Sequence, residues 1–152
     1  MNRLQARIGY TFKKQGLLVE ALTHRSLANV RKIPSNERLE FLGDSVIRLV
    51  LAAEAFRLAP HFPEGKLHNV CTTYSNNQAL AGMARELGLE HELRFESTSV
   101  SAPTNNMLAD AFEALVGAVF EDAGYEATRR VLLELYNFEE GRSDEQVSLG
   151  TA

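Results

Sequence analysis

The stretch NERLEFLGDSVIRLVLAAEA, residues 36–55, predicts the central helix of the fold. Its apolar side chains recur at the spacing of one helix face, at Leu39, Leu42, Val46, Leu49, Val50 and Ala53. Pro34 stops whatever precedes the helix, and Pro60 ends it. Ser35 or Asn36 can cap the free N–H groups of its first turn.

Outward from this segment, the rest of the chain also has a helical pattern. A second long helix is predicted from Glu64 to Gly88, and an irregular connection over residues 93–106. A further helix runs from Leu108 to near Gly124, and a last one covers residues 125–138. Strand signals are weak, because no segment alternates polar and apolar residues for long. The sequence therefore predicts one all-α domain over residues 1–138, followed by a polar, flexible tail over residues 139–152.

The composition limits the function classes. There are 16 Lys and Arg against 20 Asp and Glu in 152 residues, a net charge of −4, so composition alone does not suggest a nucleic-acid partner. No apolar stretch approaches the ~20 residues of a membrane span, and the first residues lack a secretory signal. The single cysteine, Cys71, excludes an internal disulfide and a thiolate metal cage. We expect a cytoplasmic protein with no membrane partner.

Two predicted helices carry acidic groups at helix-face spacing. Glu37, Glu40 and Asp44 share one side of the first helix, and Asp110 and Glu113 share one side of a later one. Taken alone, each set is compatible with a solvated face whose carboxylates pair with a neighbouring arginine, Arg38 or Arg48.

Convergence of the two helices would change that interpretation. Like charges a few ångströms apart repel by about 4 kcal/mol per pair at an effective dielectric constant of 20, so protons or a divalent cation must compensate them. Ligands that are all carboxylates suit Mg²⁺ or Mn²⁺, whereas zinc would call for His or Cys. A di-iron bundle is disfavoured because the Glu-x-x-His motif is missing, and a nucleophilic Cys or Ser site has little support. Hydrolysis by metal-activated water fits best.

Five segments resemble the ribonuclease III endonuclease domain. Residues 36–45 (NERLEFLGDS) resemble its signature, and residues 108–115 (LADAFEAL) its second acidic motif. Three further segments agree in order and spacing: residues 8–12 (IGYTF), 21–26 (ALTHRS) and 62–65 (FPEG). The resemblance covers about residues 3–138.

The resemblance implies an all-α homodimer that cleaves double-stranded RNA with Mg²⁺, for which Mn²⁺ substitutes. The products carry 5′-phosphate and 3′-hydroxyl ends with short 3′ overhangs, and the substrates are ribosomal and other structured transcripts. By position, the implied metal ligands are Glu40, Asp44, Asp110 and Glu113, with Asp44 and Glu113 catalytic. Glu37 and Glu64 match positions near the RNA-facing valley and the dimer contact. Phe41 resembles an aromatic residue inserted into the partner subunit, with ordinary core packing as its alternative, and His24 is expected to be structural.

Two departures from the family pattern accompany this resemblance. Bacterial members carry a double-stranded-RNA-binding domain after the catalytic one, for which this chain has no room. It is either a trimmed chain or a minimal enzyme that relies on its dimer, structured RNA or an RNA-binding partner. The second departure is the absence of Lys and Arg from residues 97–106, which predicts weak, salt-sensitive RNA binding. The alternatives are a non-catalytic RNA-binding or ribosome-associated protein on the same fold, and a dimerising scaffold.

Overall fold

The computed structural model describes residues 2–98 and 100–137, and regular structure in these ranges is α-helical. One isolated parallel bridge joins Thr23 to Arg94. The helices are α1 (Asn2–Ile8), α2 (Gln15–Ala21), α3 (Arg25–Arg31), α4 (Glu37–Leu58), α5 (Glu64–Ser75), α6 (Asn77–Glu86), α7 (Leu89–Glu92) and α8 (Asn105–Leu135). The all-α prediction is therefore confirmed, while the predicted tail lies outside the described residues.

Helices α4 and α8 form the centre of the molecule, and their apolar faces supply much of the core. Phe112 and Val50 are fully buried at this centre, with Leu108 and Ile47 almost so. The predicted stop near Gly124 appears inside α8 as a non-helical residue with φ 79°. A positive φ is unstrained only for glycine, so the chain changes direction there and a last helical segment follows.

The single helix predicted from Glu64 to Gly88 is wrong, because the structure divides it into α5 and α6. Asn76 has extended φ/ψ values between them, and its side-chain oxygen accepts a hydrogen bond from the Ala79 N–H at 2.9 Å. Asparagine side chains compete for backbone hydrogen bonds and favour cap positions over helix interiors. Capping at α4 also differs from prediction, since Asn36 occupies the N-cap position without making a side-chain cap bond.

Within the described ranges, no helix has both the length and the apolar character needed to cross a bilayer.

A buried carboxylate fastens α4 to the last segment of α8. Glu54 is 3 % exposed; one of its oxygens accepts hydrogen bonds from Arg57 and the other from Arg129, at distances down to 2.6 and 2.7 Å. Burial raises the pKa of Glu54, but the bonds from the two guanidinium groups outweigh it and hold the pKa below its ordinary value.

Replacing Glu54 by Gln should lower the free energy of unfolding by about 3 kcal/mol at pH 7, because the partly buried Arg129 guanidinium loses its counter-charge and the exposed Arg57 loses its ion pair. A lowered pKa stabilises the fold above the unfolded-state value of 4.5, and this contribution is lost as pH falls through the folded-state pKa. In urea denaturation, the difference in free energy of unfolding between wild type and variant should therefore become smaller as pH is lowered from 7 to 3. Exposed Glu86→Gln is the matched control, and equal losses for both variants would contradict the prediction.

Candidate metal centre

Two glycines allow the α4 and α8 backbones to approach closely. A Cβ atom at Gly43 would collide with the Glu113 carbonyl group, lying 2.6 Å from its carbon and 2.9 Å from the Gly117 nitrogen. A Cβ at Gly117 would lie 2.9 Å from the Leu39 carbonyl carbon. No role was predicted for either glycine, although a glycine inside a helical pattern often has a packing reason.

This crossing brings acidic side chains of both helices together. Carboxylate oxygens of Glu40, Asp110 and Glu113 all lie within 4.8 Å of one another, and the three side chains are partly buried. These three residues are called the carboxylate cluster below. Three of the four predicted ligands are thus neighbours in space, although the two acidic segments are about 70 positions apart in the chain.

The fourth predicted ligand, Asp44, lies one turn along α4 and is bonded elsewhere. Its carboxylate accepts a hydrogen bond from Arg48 Nε at 2.7 Å. A pair with Arg48 is the alternative expected from helix spacing, and for Asp44 that pair is present. Asp44 still acts on the site, because its charge is the second cause of the raised pKa of Glu113.

All three carboxylates of the cluster have raised pKa values. Burial, together with repulsion by Asp44, Glu40 and Asp110, raises the pKa of Glu113 from 4.5 to about 7. Burial likewise raises the pKa of Glu40, with Asp110 as the next cause. Burial also raises the pKa of Asp110, against the opposing charges of His24 and Arg25. The cluster therefore favours bound protons or a positive ligand.

The remaining predicted residues surround this cluster. Glu37 is exposed, lies 3.7 Å from the Arg25 guanidinium, and accepts a bond from the Ser35 hydroxyl at 3.0 Å. Glu64 begins α5 on the surface and is not part of the carboxylate cluster. Phe41 is 78 % exposed, so ordinary core packing does not describe it. His24 caps α3 by accepting the Ser26 N–H on Nδ1 at 3.2 Å, the structural role expected of it.

A family comparison agrees with this geometry. Residues 14–137 match the sequence model described as ribonuclease-III-like. The chain belongs to the ribonuclease III family. It is 43% identical over 129 residues to ribonuclease 3 of Symbiobacterium thermophilum, covering 83% of this chain and 55% of the relative. For ribonuclease 3 of Alkalilimnicola ehrlichii the identity is 41% over 136 residues, 88% of this chain and 58% of the relative. The chain thus spans little more than half the length of these curated ribonuclease 3 proteins.

Solved structures of two other proteins resemble this fold. The nuclease domain of ribonuclease III from Campylobacter jejuni aligns with a TM-score of 0.83 at 33% identity, over 90% of this chain and 96% of that one. That domain is described as flexible in a region involved in dimer formation. Dicer from Pichia stipitis aligns with a TM-score of 0.65 at 29% identity, over 84% of this chain and 56% of that one. The resemblance found in the signature residues is confirmed.

Proposed function

We propose that this chain is a divalent-cation-dependent endoribonuclease that cleaves double-stranded RNA to 5′-phosphate and 3′-hydroxyl ends with short 3′ overhangs. The observation that carries the proposal is the carboxylate cluster, in which Glu40, Asp110 and Glu113 converge from α4 and α8. Bringing three carboxylates together in a partly buried site costs free energy, which their raised pKa values reflect. A hydrolytic metal centre requires such a site, whereas solvated surface acids do not. Stem-containing transcripts such as ribosomal RNA precursors are the proposed substrates.

Mg²⁺ is the proposed cofactor, with Mn²⁺ as a substitute. The donor set fits, because three convergent carboxylates are hard oxygen ligands and their repulsion favours a small divalent ion. Glu40, Asp110 and Glu113 would hold it, and Asp44 would join them on leaving Arg48. When bound, such an ion supplies Lewis-acid activation of phosphate and water. Because the pKa of Glu113 is about 7, binding of the cation at neutral pH would release protons and strengthen as pH rises.

A homodimer is the proposed assembly. One exposed face of α4 carries three large apolar side chains, with Phe41 78 %, Leu49 56 % and Phe56 74 % exposed. They lie eight and seven positions apart, so they share a stripe along one side of the helix. Several large exposed apolar side chains on one helix face are typical of interaction sites, and the Campylobacter jejuni relative is described in terms of dimer formation. A two-fold dimer would offer one site to each strand of an RNA duplex.

The test of the proposed function is cleavage of an end-labelled, perfectly paired RNA duplex, with a DNA duplex of the same sequence beside it. We expect cleavage with Mg²⁺ or Mn²⁺, intact DNA, and binding without cleavage when Ca²⁺ replaces Mg²⁺. Binding without cleavage in every metal would overturn the enzymatic proposal and favour a non-catalytic RNA-binding role. Neither binding nor cleavage would favour a scaffold.

Replacing Phe41 by Ala should weaken the homodimer at least about ten-fold, because a largely exposed aromatic ring is the side chain most suited to anchor an apolar interface. Sedimentation equilibrium gives the dissociation constant directly. Val30→Ala, at a 62 % exposed valine on α3, is the control for loss of exposed apolar surface. A dissociation constant that changes equally in both variants would remove Phe41 from the interface.

A further inference from the structure

A cavity of about 370 Å³ opens beside the carboxylate cluster. Its lining includes three acidic residues, Glu37, Glu40 and Asp110, together with Arg25, Asn36 and Asn106. From these residues we propose that Arg25 and Asn36 form a phosphate-binding subsite, which holds a backbone phosphate of the nucleic-acid strand next to the one being cleaved. This inference rests on the proposed function, since it places a second contact to the same substrate.

Arg25 is the first of the two donors. Among the described residues that line the cavity, it is the one permanently charged cation. Its side chain is 66% exposed and lies 3.7 Å from Glu37, a long contact between two exposed groups that contributes little to stability. A guanidinium in this state keeps most of its five N–H donors available, and their planar arrangement matches two oxygens of a phosphate.

Asn36 is the second donor, and its environment is unusual. The residue is 1 % exposed, yet its Nδ2 atom has no hydrogen-bond partner within the described part of the chain. Its backbone is fully engaged, accepting from Glu40 N and donating to Thr23 O, each at 2.8 Å. Leaving a buried amide donor unpaired costs about 1–3 kcal/mol, and natural proteins retain few such groups without a function.

The position of Asn36 connects this unpaired donor to the cavity. The residue lines the cavity wall together with Arg25 and Glu40. The terminal torsion of an asparagine is broad, so its amide can turn toward an incoming acceptor at low cost. A phosphate oxygen is the acceptor that both Asn36 and Arg25 would share, whereas the carboxylates nearby would repel it unless their own charge is neutralised.

The chemistry of the whole cavity matches a nucleotide backbone better than a bare anion. Amide and guanidinium donors line it together with carboxylate acceptors, among them Glu37, which lies 3.7 Å from the Arg25 guanidinium. A ribonucleotide presents both matching groups, phosphate oxygens that accept and a 2′-hydroxyl that donates. A free phosphate ion would use only the donors, so the two ligands can be separated by experiment.

The first experiment measures equilibrium binding of the RNA duplex in Ca²⁺ across a salt titration, with wild type, Arg25→Gln and Arg31→Gln. Exposed Arg31 lies on the same helix, does not line the cavity and carries the same charge, so it controls for long-range electrostatics. We expect Arg25→Gln to bind about ten-fold more weakly and to reduce the slope of log K against log salt by about 0.9, the effect of one lost phosphate contact. Arg31→Gln should retain the wild-type slope.

The second experiment uses Asn36→Leu, a replacement of similar volume that removes the amide. Because the native amide is unpaired, the melting temperature should stay the same or rise, while RNA binding weakens about ten-fold. A purely structural asparagine would give the opposite pattern, with lower stability and unchanged affinity. In parallel, the side-chain ¹⁵N–¹H signals of wild-type Asn36 are followed during titration with adenosine 3′,5′-bisphosphate and then inorganic phosphate. A shift with the bisphosphate alone identifies a nucleic-acid backbone site, and a shift with both identifies a phosphate site of broader range.

The outcomes separate this inference from the proposed function. If wild type cleaves RNA but Arg25→Gln and Arg31→Gln bind alike, the subsite is overturned and the enzymatic proposal stands. If wild type does not cleave but binding depends on Arg25 as described, the enzymatic proposal fails and the subsite stands. Absence of any Asn36 signal change with either ligand overturns the role of Asn36.

Discussion

Replacing Glu113 by Gln is expected to reduce RNA cleavage on the order of 10³-fold or more and, at the same time, to stabilise the folded protein at pH 8. Activity falls because the substitution removes one carboxylate ligand from the carboxylate cluster. Stability rises because Glu113 is charged at pH 8 in a partly buried site, where Asp44 and Glu40 repel it.

The direction of the pH effect follows from the pKa of Glu113, about 7 in the folded chain against an ordinary value of 4.5. Between these values the folded state binds more protons than the unfolded state, so the free energy of unfolding falls as pH rises from 4.5 to 7. Above pH 7 the full penalty is present, about 2 kcal/mol after allowance for solvent screening. The variant should lack this decline.

Urea denaturation of wild type and Glu113→Gln at pH 5 and pH 8 measures this difference, with and without Mn²⁺. The cation should restore wild-type stability at pH 8 and act more weakly on the variant, because fewer carboxylates remain to bind it. Glu126→Gln, at an exposed position on the same helix, controls for loss of one negative charge. Full cleavage by the variant, or equal pH profiles in all three proteins, would remove Glu113 from the proposed centre.

Replacing Gly43 by Ala should destabilise the protein by about 3 kcal/mol, although alanine is the better helix former. Helix propensity alone predicts a gain of about 1 kcal/mol, so the sign of the effect depends on the tertiary contact. The new methyl group would collide with the Glu113 carbonyl group and approach the Gly117 nitrogen to 2.9 Å. Both neighbours are backbone atoms, which cannot rotate away as a side chain would. The helices must therefore separate, and the carboxylates on them separate too.

Gly82→Ala is the matched control for this prediction. Gly82 lies inside α6, and a Cβ there meets nothing within 4 Å, so the substitution should stabilise by about 0.5–1 kcal/mol. Urea denaturation reports both changes, and Mn²⁺ binding by the folded fraction reports the carboxylate cluster. Equal effects of the two substitutions would show that the α4–α8 crossing tolerates extra volume.

Local sequence patterns predicted much of the helical structure. The central helix observed as Glu37–Leu58 agrees with the apolar period and the flanking prolines, and the break in α8 occurs at the predicted Gly124. The division at Asn76 was missed, because the apolar period continues across it while a single side-chain cap changes the backbone. Periodicity reports which face of a segment is buried, whereas a cap of this kind depends on one residue.

The acidic residues themselves are also plain in the sequence, together with their spacing on two separate helices and the family signature that contains them. Their distances in space depend on how closely α4 and α8 cross, and that closeness comes from backbone contact at Gly43 and Gly117. The same long-range packing buries Asn36 with no partner for its Nδ2 atom among the described residues, and it places Arg25 beside the cavity. The Asp44–Arg48 pair, by contrast, is local to α4, since its members are four positions apart, and spacing alone indicated it. Spacing along one helix defines a face, but distances between helices follow from packing among residues far apart in the chain.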